Sequence, residues 1–260
     1  MLEAFAARFV HPVKVLKLPG NRSKGRNAAI RESQNEIIAG TDAGCLLDAH
    51  WLERLVAPFE EDPLIDVVSG FYEARGETWF EQCAAVVTLS TKGVNPDTFL
   101  PSTRSIAFRR EAWQCVGGFP EELDFAEDTR FGLDLRKAGR RFAFARNAVV
   151  FWRPHHSLRQ IFRQFRNYAL GNAQAGILTG NYFRIHMRYL GWLLLTASLF
   201  LSPWFFIVWT PAVLPYWVMW SNRGWKESHD WRSLVVTPSI KLVADGGQFT
   251  GFWSGLLGRI

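Results

Sequence analysis

Four groups of residues in this chain have types and spacings that can do chemistry. Asp42 follows the short apolar run "EIIAG" in the stretch "EIIAGTDAGCLLDAHWL" (36–52). If that run is a buried strand of an α/β sheet, Asp42 stands at its carboxyl end, where such sheets bind ligands. A carboxylate there can hold a hard divalent cation, and the cation can hold a diphosphate. An aspartate in a plain turn is the structural alternative. Glu127-Asp128 opens a helical pattern. Acids at that place stabilise a helix by roughly 0.3–1 kcal/mol, but a carboxylate there can also act as general base towards an acceptor hydroxyl within hydrogen-bond reach. His155-His156 lies between a strand end and a helix start. Neutral imidazole is a common metal ligand, although a surface pair of histidines with no function would fit the same loop. Arg159, Arg163 and Arg166, at i, i+4 and i+7, form one helical stripe beside a second stripe of Leu158, Ile161, Phe162 and Phe165. Guanidinium forks suit a diphosphate and a basic face suits anionic lipid. A solvated face is the plain alternative. Lys24 and Arg26 add positive charge to the loop "PGNRSKGRN".

The elements that must position these residues alternate. "VKVLKL" (13–18) has strand periodicity. Asn27 can cap a short helix, "AAIRESQ". "EIIAG" reads as the strand delivering Asp42, and "DAHWLERLVAPF" as an amphipathic helix capped by Asp48. A β-rich run at 64–72, a helix at 77–91, a loop at 95–105 and the short strand "IAF" follow. Next come a helix stopped at Gly117-Gly118, the helix opened by Glu127-Asp128 with Gly139 past its end, and a strand run at 140–152. Ser157 and Gln160 form a capping-box pair at the start of the arginine-bearing helix. The alternation predicts an α/β domain with a mostly parallel sheet over residues 1–155. Further units are predicted at 156–188 (a basic amphipathic helix closing the site), 189–222 (a hydrophobic segment) and 223–260 (a tail).

The bulk numbers narrow the class. A chain of 260 residues can bury a real core. Net charge is +6, which suits an anionic partner such as phosphate, nucleic acid or a lipid headgroup. No nucleic-acid-binding module is recognisable, and the basic residues gather near the presumed phosphate sites, so nucleic acid is not the expected partner. Cys45, Cys83 and Cys115 have neither zinc spacing nor a disulfide framework, as in a reducing compartment. "MLEAFAARFV" does not read as a secretory leader. From Tyr189 to Trp220 no residue carries a formal charge, and the run is rich in Trp and Phe. A membrane-spanning helix needs about 20 apolar residues, so one crossing or a hairpin is expected here. Pro203, Pro211 and Pro215 interrupt it, and Arg184, Arg188, Arg223 and Lys226 flank it. The closing "SIKLVADGGQFTGFWSGLLGRI" suits an interfacial helix or packing against the domain equally.

The order of these pieces resembles family 2 glycosyltransferases of the GT-A fold. The resemblance rests on "GRNAAIRESQNEIIAGTDAGCLLDAHWLERLVAPF", "LPSTRSIAFRREAWQCVGGFPEELDFAEDTRFGLDLRKAGRRF" and "PHHSLRQIFRQFRNYALG" and covers about residues 10–175. The hydrophobic tail is similar to that of membrane-associated bacterial members. The resemblance implies a nucleotide-diphosphate sugar donor bound with Mg2+ or Mn2+, and inverting transfer to an acceptor hydroxyl. Asp42 matches the first aspartate of the Asp-X-Asp motif, while Gly44 stands where the second usually is. His155 or His156 matches the metal-ligand histidine. Asp128 matches the base of the Glu-Asp motif, with Glu127 positioning it. Arg26, Asn27, Asp42, Arg163 and Arg166 are the expected donor contacts, although "RQFRNY" only weakly resembles the Gln-X-X-Arg-Trp motif. Its missing Trp implies single-sugar transfer.

The expected acceptor is a lipid-linked or cell-envelope glycan, with the catalytic domain on the cytoplasmic face of the cell membrane. Family members usually begin with a strand, helix and strand that this sequence lacks. A longer gene product, a partner chain supplying the missing wall, and a non-catalytic membrane-bound remnant are the three readings of that departure.

Overall fold

The computed structural model describes residues 12–88, 94–177 and 179–258. The predicted strand at 13–18 joins no sheet: Val13 and Leu18 are exposed, and none of the described strands pairs with it. The first helix, α1 (Arg22–Glu32), starts earlier than expected. Asn21, not Asn27, is its cap, and its side chain accepts the Lys24 N–H at 3.1 Å. β1 (Ile37–Gly40) and β2 (Cys45–Leu47) follow, joined by a turn in which Gly44 has φ +88°.

The next helix, α2 (Trp51–Glu61), begins after His50, with Asp48 one turn upstream accepting the His50 N–H at 3.0 Å. After it come β3 (Val67–Ala74), α3 (Trp79–Thr88), β4 (Ile106–Arg109), α4 (Arg110–Cys115), α5 (Glu127–Lys137) and β5 (Phe142–Trp152). The predicted residues 89–91 of the third helix lie outside the described residues. α5 ends as expected, with Gly139 at φ +74° donating its N–H to Arg136 O and Arg140 donating to Leu135 O.

The sheet is mixed rather than mostly parallel. Its order is β1-β4-β3-β5-β2, and only β3 and β5 pair in parallel. The alternation of strands and helices that suggested parallel crossovers says nothing about β2 and β4, which are short strands entered from loops and run against their neighbours. β1, β3 and β5 nonetheless point the same way. Successive strand residues face opposite layers. Val67 and Phe108 pack with Ile30, Trp113, Phe131 and Leu135 under α1, α4 and α5, while Val68 and Ala107 pack with Trp51, Leu55 and Phe59 of α2.

Beyond the sheet the chain is helical: α6 (Leu158–Ala175), α7 (Thr179–Ser198), a 3-10 turn (Pro203–Phe205), α8 (Phe206–Ser228) and α9 (Ser233–Leu257). Ser157 caps α6, accepting the Gln160 N–H at 3.4 Å, but the return bond of a capping box is not made: Gln160 Oε1 has no partner among the described residues. The uncharged run does not make the expected span. It breaks at 199–202, where the chain closes i→i+3 bonds before Pro203, and its halves become the ends of α7 and α8. Among the described residues no helix is long and apolar enough to cross a membrane. The closing segment, α9, packs against α6: at Gly247, Gly251 and Gly255 an added Cβ would lie 2.5, 2.0 and 2.5 Å from backbone oxygens of α6. Packing against the domain is thus present, while Val235, Phe249, Trp253 and Leu257 of the same helix are exposed.

Candidate active site

Topology gathers the chemistry at one end of the sheet. The carboxyl ends of β1, β3 and β5 lie there, and because β4 runs antiparallel to β1 and β3, the loop entering β4 lies there too. Asp42 thus stands beside Ser102-Thr103-Arg104.

Arg26 joins the two acidic motifs. It projects from α1, donating from Nη1 to Glu127 Oε1 and from Nη2 to Asp42 Oδ1, each at 2.7 Å, and from Nη2 to Thr103 Oγ1 at 2.9 Å. Thr103 Oγ1 in turn lies 3.2 Å from Asp42 Oδ2. Burial by itself would lower the Arg26 pKa, but the bonds to Glu127 and Asp42 more than offset it and raise it. The guanidinium stays charged.

Glu127 is buried, and Asp128 beside it is half-buried. Both are turned into place by Ala126, whose backbone is left-handed at φ 63°. A non-glycine residue held there costs on the order of 1 kcal/mol and is supported by its surroundings. Asp128 accepts the Ser102 hydroxyl on Oδ2 at 3.1 Å and the Thr129 N–H on Oδ1 at 2.8 Å. Ser102 Oγ also accepts from Arg104 Nη1 at 3.2 Å, and Arg104 Nη2 donates to the Tyr168 hydroxyl of α6 at 3.1 Å. Gln164, one turn back on α6, donates to the same hydroxyl at 3.0 Å. Its Oε1 has no hydrogen-bond partner among the described residues.

Asn27 is not part of this opening. It is 1% exposed, and its amide holds Phe119 O, Phe119 N–H, Glu121 and the Trp113 indole. The expected helix cap and donor contact is a fastener between α1 and the loop before α5. Arg163 is exposed and Arg166 half-buried, and among the described residues neither bonds to Asp42, Glu127 or Asp128. α6 brings Gln164 and Tyr168 to the site instead. His155 and His156 follow Trp152, and the His155 ring meets the Trp152 ring edge-on at 6.1 Å. Burial first, then the neighbouring His156, pushes the His155 pKa down, so it is neutral at pH 7.

The donor set as arranged does not fit a divalent cation. Each Asp42 oxygen already accepts one hydrogen bond, and the Arg26 guanidinium 2.7 Å from Oδ1 is a positive charge that disfavours a second cation there. Gly44 supplies no ligand and holds a turn conformation that an aspartate would resist. Among the described residues no three of His, Cys, Asp and Glu come together as a metal-holding group. The opening beside Asp42 is a cavity of about 340 Å³ along the side of β1 that pairs with none of the described strands, lined by Arg26, Thr41 and Thr103 and floored by Ile30, Ile106 and Phe119.

Sequence reasoning missed Ser102, Thr103, Arg104, Gln164 and Tyr168. A usable signal was present: a polar triplet just before a buried strand lands beside Asp42 once that strand runs antiparallel to β1.

Comparison with known proteins identifies the family and the fold. The chain is 25% identical over 158 residues to the O-antigen chain rhamnosyltransferase RfbN of Salmonella typhimurium, covering 56% of this chain and 50% of that protein. It therefore spans about half the length of that curated relative. The mannosyltransferase PcManGT of Pyrobaculum calidifontis, solved with GDP-Man and Mn2+, superimposes with a TM-score of 0.54 at 18% identity, over 85% of this chain and 66% of that one. That likeness speaks for a common GT-A fold. Residues 37–225 match the family described as Glycosyl transferase family group 2. They take in Asp42, the β4 loop, Glu127-Asp128 and α6, but not Arg26 on α1, and this chain belongs to that glycosyltransferase family.

Proposed function

We propose that the chain transfers a sugar from a nucleoside-diphosphate sugar to an acceptor hydroxyl with inversion. The observation that carries this reading is Asp128, a half-buried carboxylate held by Ser102 and the Thr129 N–H at the ligand-binding end of the sheet. Oδ1 also accepts the Thr129 hydroxyl at 3.4 Å, whereas Oδ2 accepts only Ser102 and keeps lone-pair capacity for one more donor. In the proposed step an acceptor O–H gives its proton to Asp128 as its oxygen attacks the anomeric carbon. The bond from that carbon to the diphosphate breaks on the opposite face, and its electron pair leaves with the diphosphate. Arg26 holds Glu127 and Asp42 so that the wall around the donor keeps its shape. No step is drawn through a metal, because the donor set does not fit one as arranged.

The acceptor is proposed to be a lipid-linked or cell-envelope glycan presented at a bilayer surface. The exposed apolar turn between α7 and α8 supports this placement: Phe200, Leu201 and Trp204 are 91, 84 and 78% exposed.

The test is transfer by the full chain from a panel of nucleotide sugars to lipid-linked acceptors, with and without Mn2+, for wild type and Asp128→Asn. Wild-type transfer that falls at least 100-fold in Asp128→Asn, with unchanged melting, is the expected result; general-base loss is typically about 10²–10⁴-fold. Equal rates would remove Asp128 from the mechanism. Nucleotide binding without any transfer would favour the non-catalytic reading, to which the ion pair of Asp42 with Arg26 also lends weight.

A further inference from the structure

Arg104 differs from Arg26 and Arg153 in its partners. Arg26 is paired with two carboxylates and Arg153 with Glu77 and Glu81. Arg104 forms no ion pair with a carboxylate among the described residues. Its hydrogen-bond acceptors are the hydroxyls of Ser102 and Tyr168. Its guanidinium lies over two aromatic rings, 5.4 Å from the Tyr72 centroid and 5.3 Å from the Trp152 centroid. Those rings sit at the carboxyl ends of β3 and β5.

A guanidinium has five N–H donors in a fixed fork, and two hydroxyls leave several of them open. Removing a cation from water without an anion beside it is costly, and ring faces and hydroxyls offset that only in part. The fork, planar by its own delocalisation, lies over the two rings and is one hydroxyl away from Asp128. A planar, pre-oriented fork of this kind matches phosphate oxygens in pairs.

We propose that Arg104 binds a diphosphate at the reaction centre. The inference rests on the glycosyl-transfer reading and adds the residue that meets the substrate's charge. Two substrates can bring that chemistry: the nucleoside-diphosphate donor and a polyprenyl-diphosphate-linked acceptor. Neutral hydroxyl partners suit either, because they hold the fork without competing for its charge.

Binding separates the cases. GDP, UDP, ADP, CDP and dTDP, and separately polyprenyl diphosphate in detergent, are titrated into the full chain, its Arg104→Gln and Arg104→Lys variants, with the bare nucleosides as controls. The expected result is a loss of about 10- to 100-fold for one diphosphate class in Arg104→Gln, the scale of a charge-assisted hydrogen bond. Nucleoside affinity and melting temperature should not change. Arg104→Lys should recover part of the loss, since it keeps the charge without the fork. Loss for nucleoside diphosphates assigns the donor, and loss for polyprenyl diphosphate assigns the acceptor. Equal affinities of wild type and Arg104→Gln for both classes would overturn the assignment alone. A wild type that binds neither class, with or without Mn2+, would overturn the glycosyl-transfer reading and this assignment with it.

Discussion

At the scale of single residues, Arg26 is the joint of the site. It is the cation between Asp42, whose side chain is one-third exposed, and Glu127, whose side chain is 4% exposed. Replacing it with methionine keeps the length and removes the charge. Glu127 would then be a buried carboxylate with its ion-pair partner gone, and breaking a buried pair from one side costs about 3–5 kcal/mol. Arg26→Met should therefore lose on the order of 3 kcal/mol in urea unfolding, and the double variant Arg26→Met/Glu127→Gln should recover much of it. A loss below about 0.5 kcal/mol, within the range of an exposed surface pair, would mean that water replaces the guanidinium easily. Asp42, Glu127 and Asp128 were legible in the sequence because acids at a strand end or a helix start stand out by position. Ser102, Arg104 and Tyr168 were not, because hydroxyls and arginines are common on any surface, and only the antiparallel entry of β4 and the face of α6 bring them together. Ala126 gave no warning either, since an alanine does not advertise a left-handed backbone.

At the scale of elements, the seam between α6 and α9 decides where Gln164 and Tyr168 stand. Gly247, Gly251 and Gly255 recur every fourth residue and so share one face of α9. An added Cβ at Gly251 would lie 2.0 Å from the Arg166 carbonyl oxygen, and rigid backbone cannot yield as a flexible side chain would. Gly251→Val should push the two helices apart and cost about 1–3 kcal/mol, the usual range for overpacking. It should also lower transfer, because α6 carries the hydroxyl that holds Arg104. Gly246→Ala is the matched control: its Cβ would meet only Phe162 at 3.9 Å. Equal melting temperatures for the two variants would show that the seam is looser than drawn. The sequence displayed this glycine spacing openly. It did not say which helix the glycines face, because a small-residue stripe fits any close neighbour. At 189–222 the uncharged run left one crossing and a hairpin open; the chain breaks it at 199–202 and folds it back as two helical arms joined by Trp192 and Trp209.

At the scale of the whole molecule, the hairpin of α7 and α8 fixes how the enzyme would approach a bilayer. Asp245 on α9 is 2% exposed and accepts the hydroxyls of Tyr189 and Tyr216 at 2.6 and 2.9 Å, with Arg188 and Lys241 also paired to it. Burial and the Asp245 charge push the Tyr216 pKa up to about 12, so its hydroxyl remains a donor. This network marks the level at which both arms leave the body of the protein. Beyond it, 189–198 and 206–216 carry no formal charge. At 1.5 Å per residue each arm projects about 15 Å, roughly half of the 30 Å hydrocarbon thickness of a bilayer. The indoles of Trp192 and Trp209 bond within the hairpin, to Ala212 O and Thr196 Oγ1, so the arms carry few unpaired donors into an apolar phase. Arg184, Arg223 and Lys226 are exposed near the base, where anionic headgroups would meet them. These dimensions fit insertion into one leaflet and do not fit a crossing. The full chain should co-sediment with vesicles containing phosphatidylglycerol, and a Phe200→Ser/Leu201→Ser/Trp204→Ser variant should bind at least tenfold more weakly while keeping its nucleotide affinity. High salt should weaken the wild type further, through the basic base of the hairpin. Vesicle binding that survives the triple substitution would place the membrane contact elsewhere, and loss of nucleotide affinity in the same variant would mean that the hairpin also supports the catalytic domain.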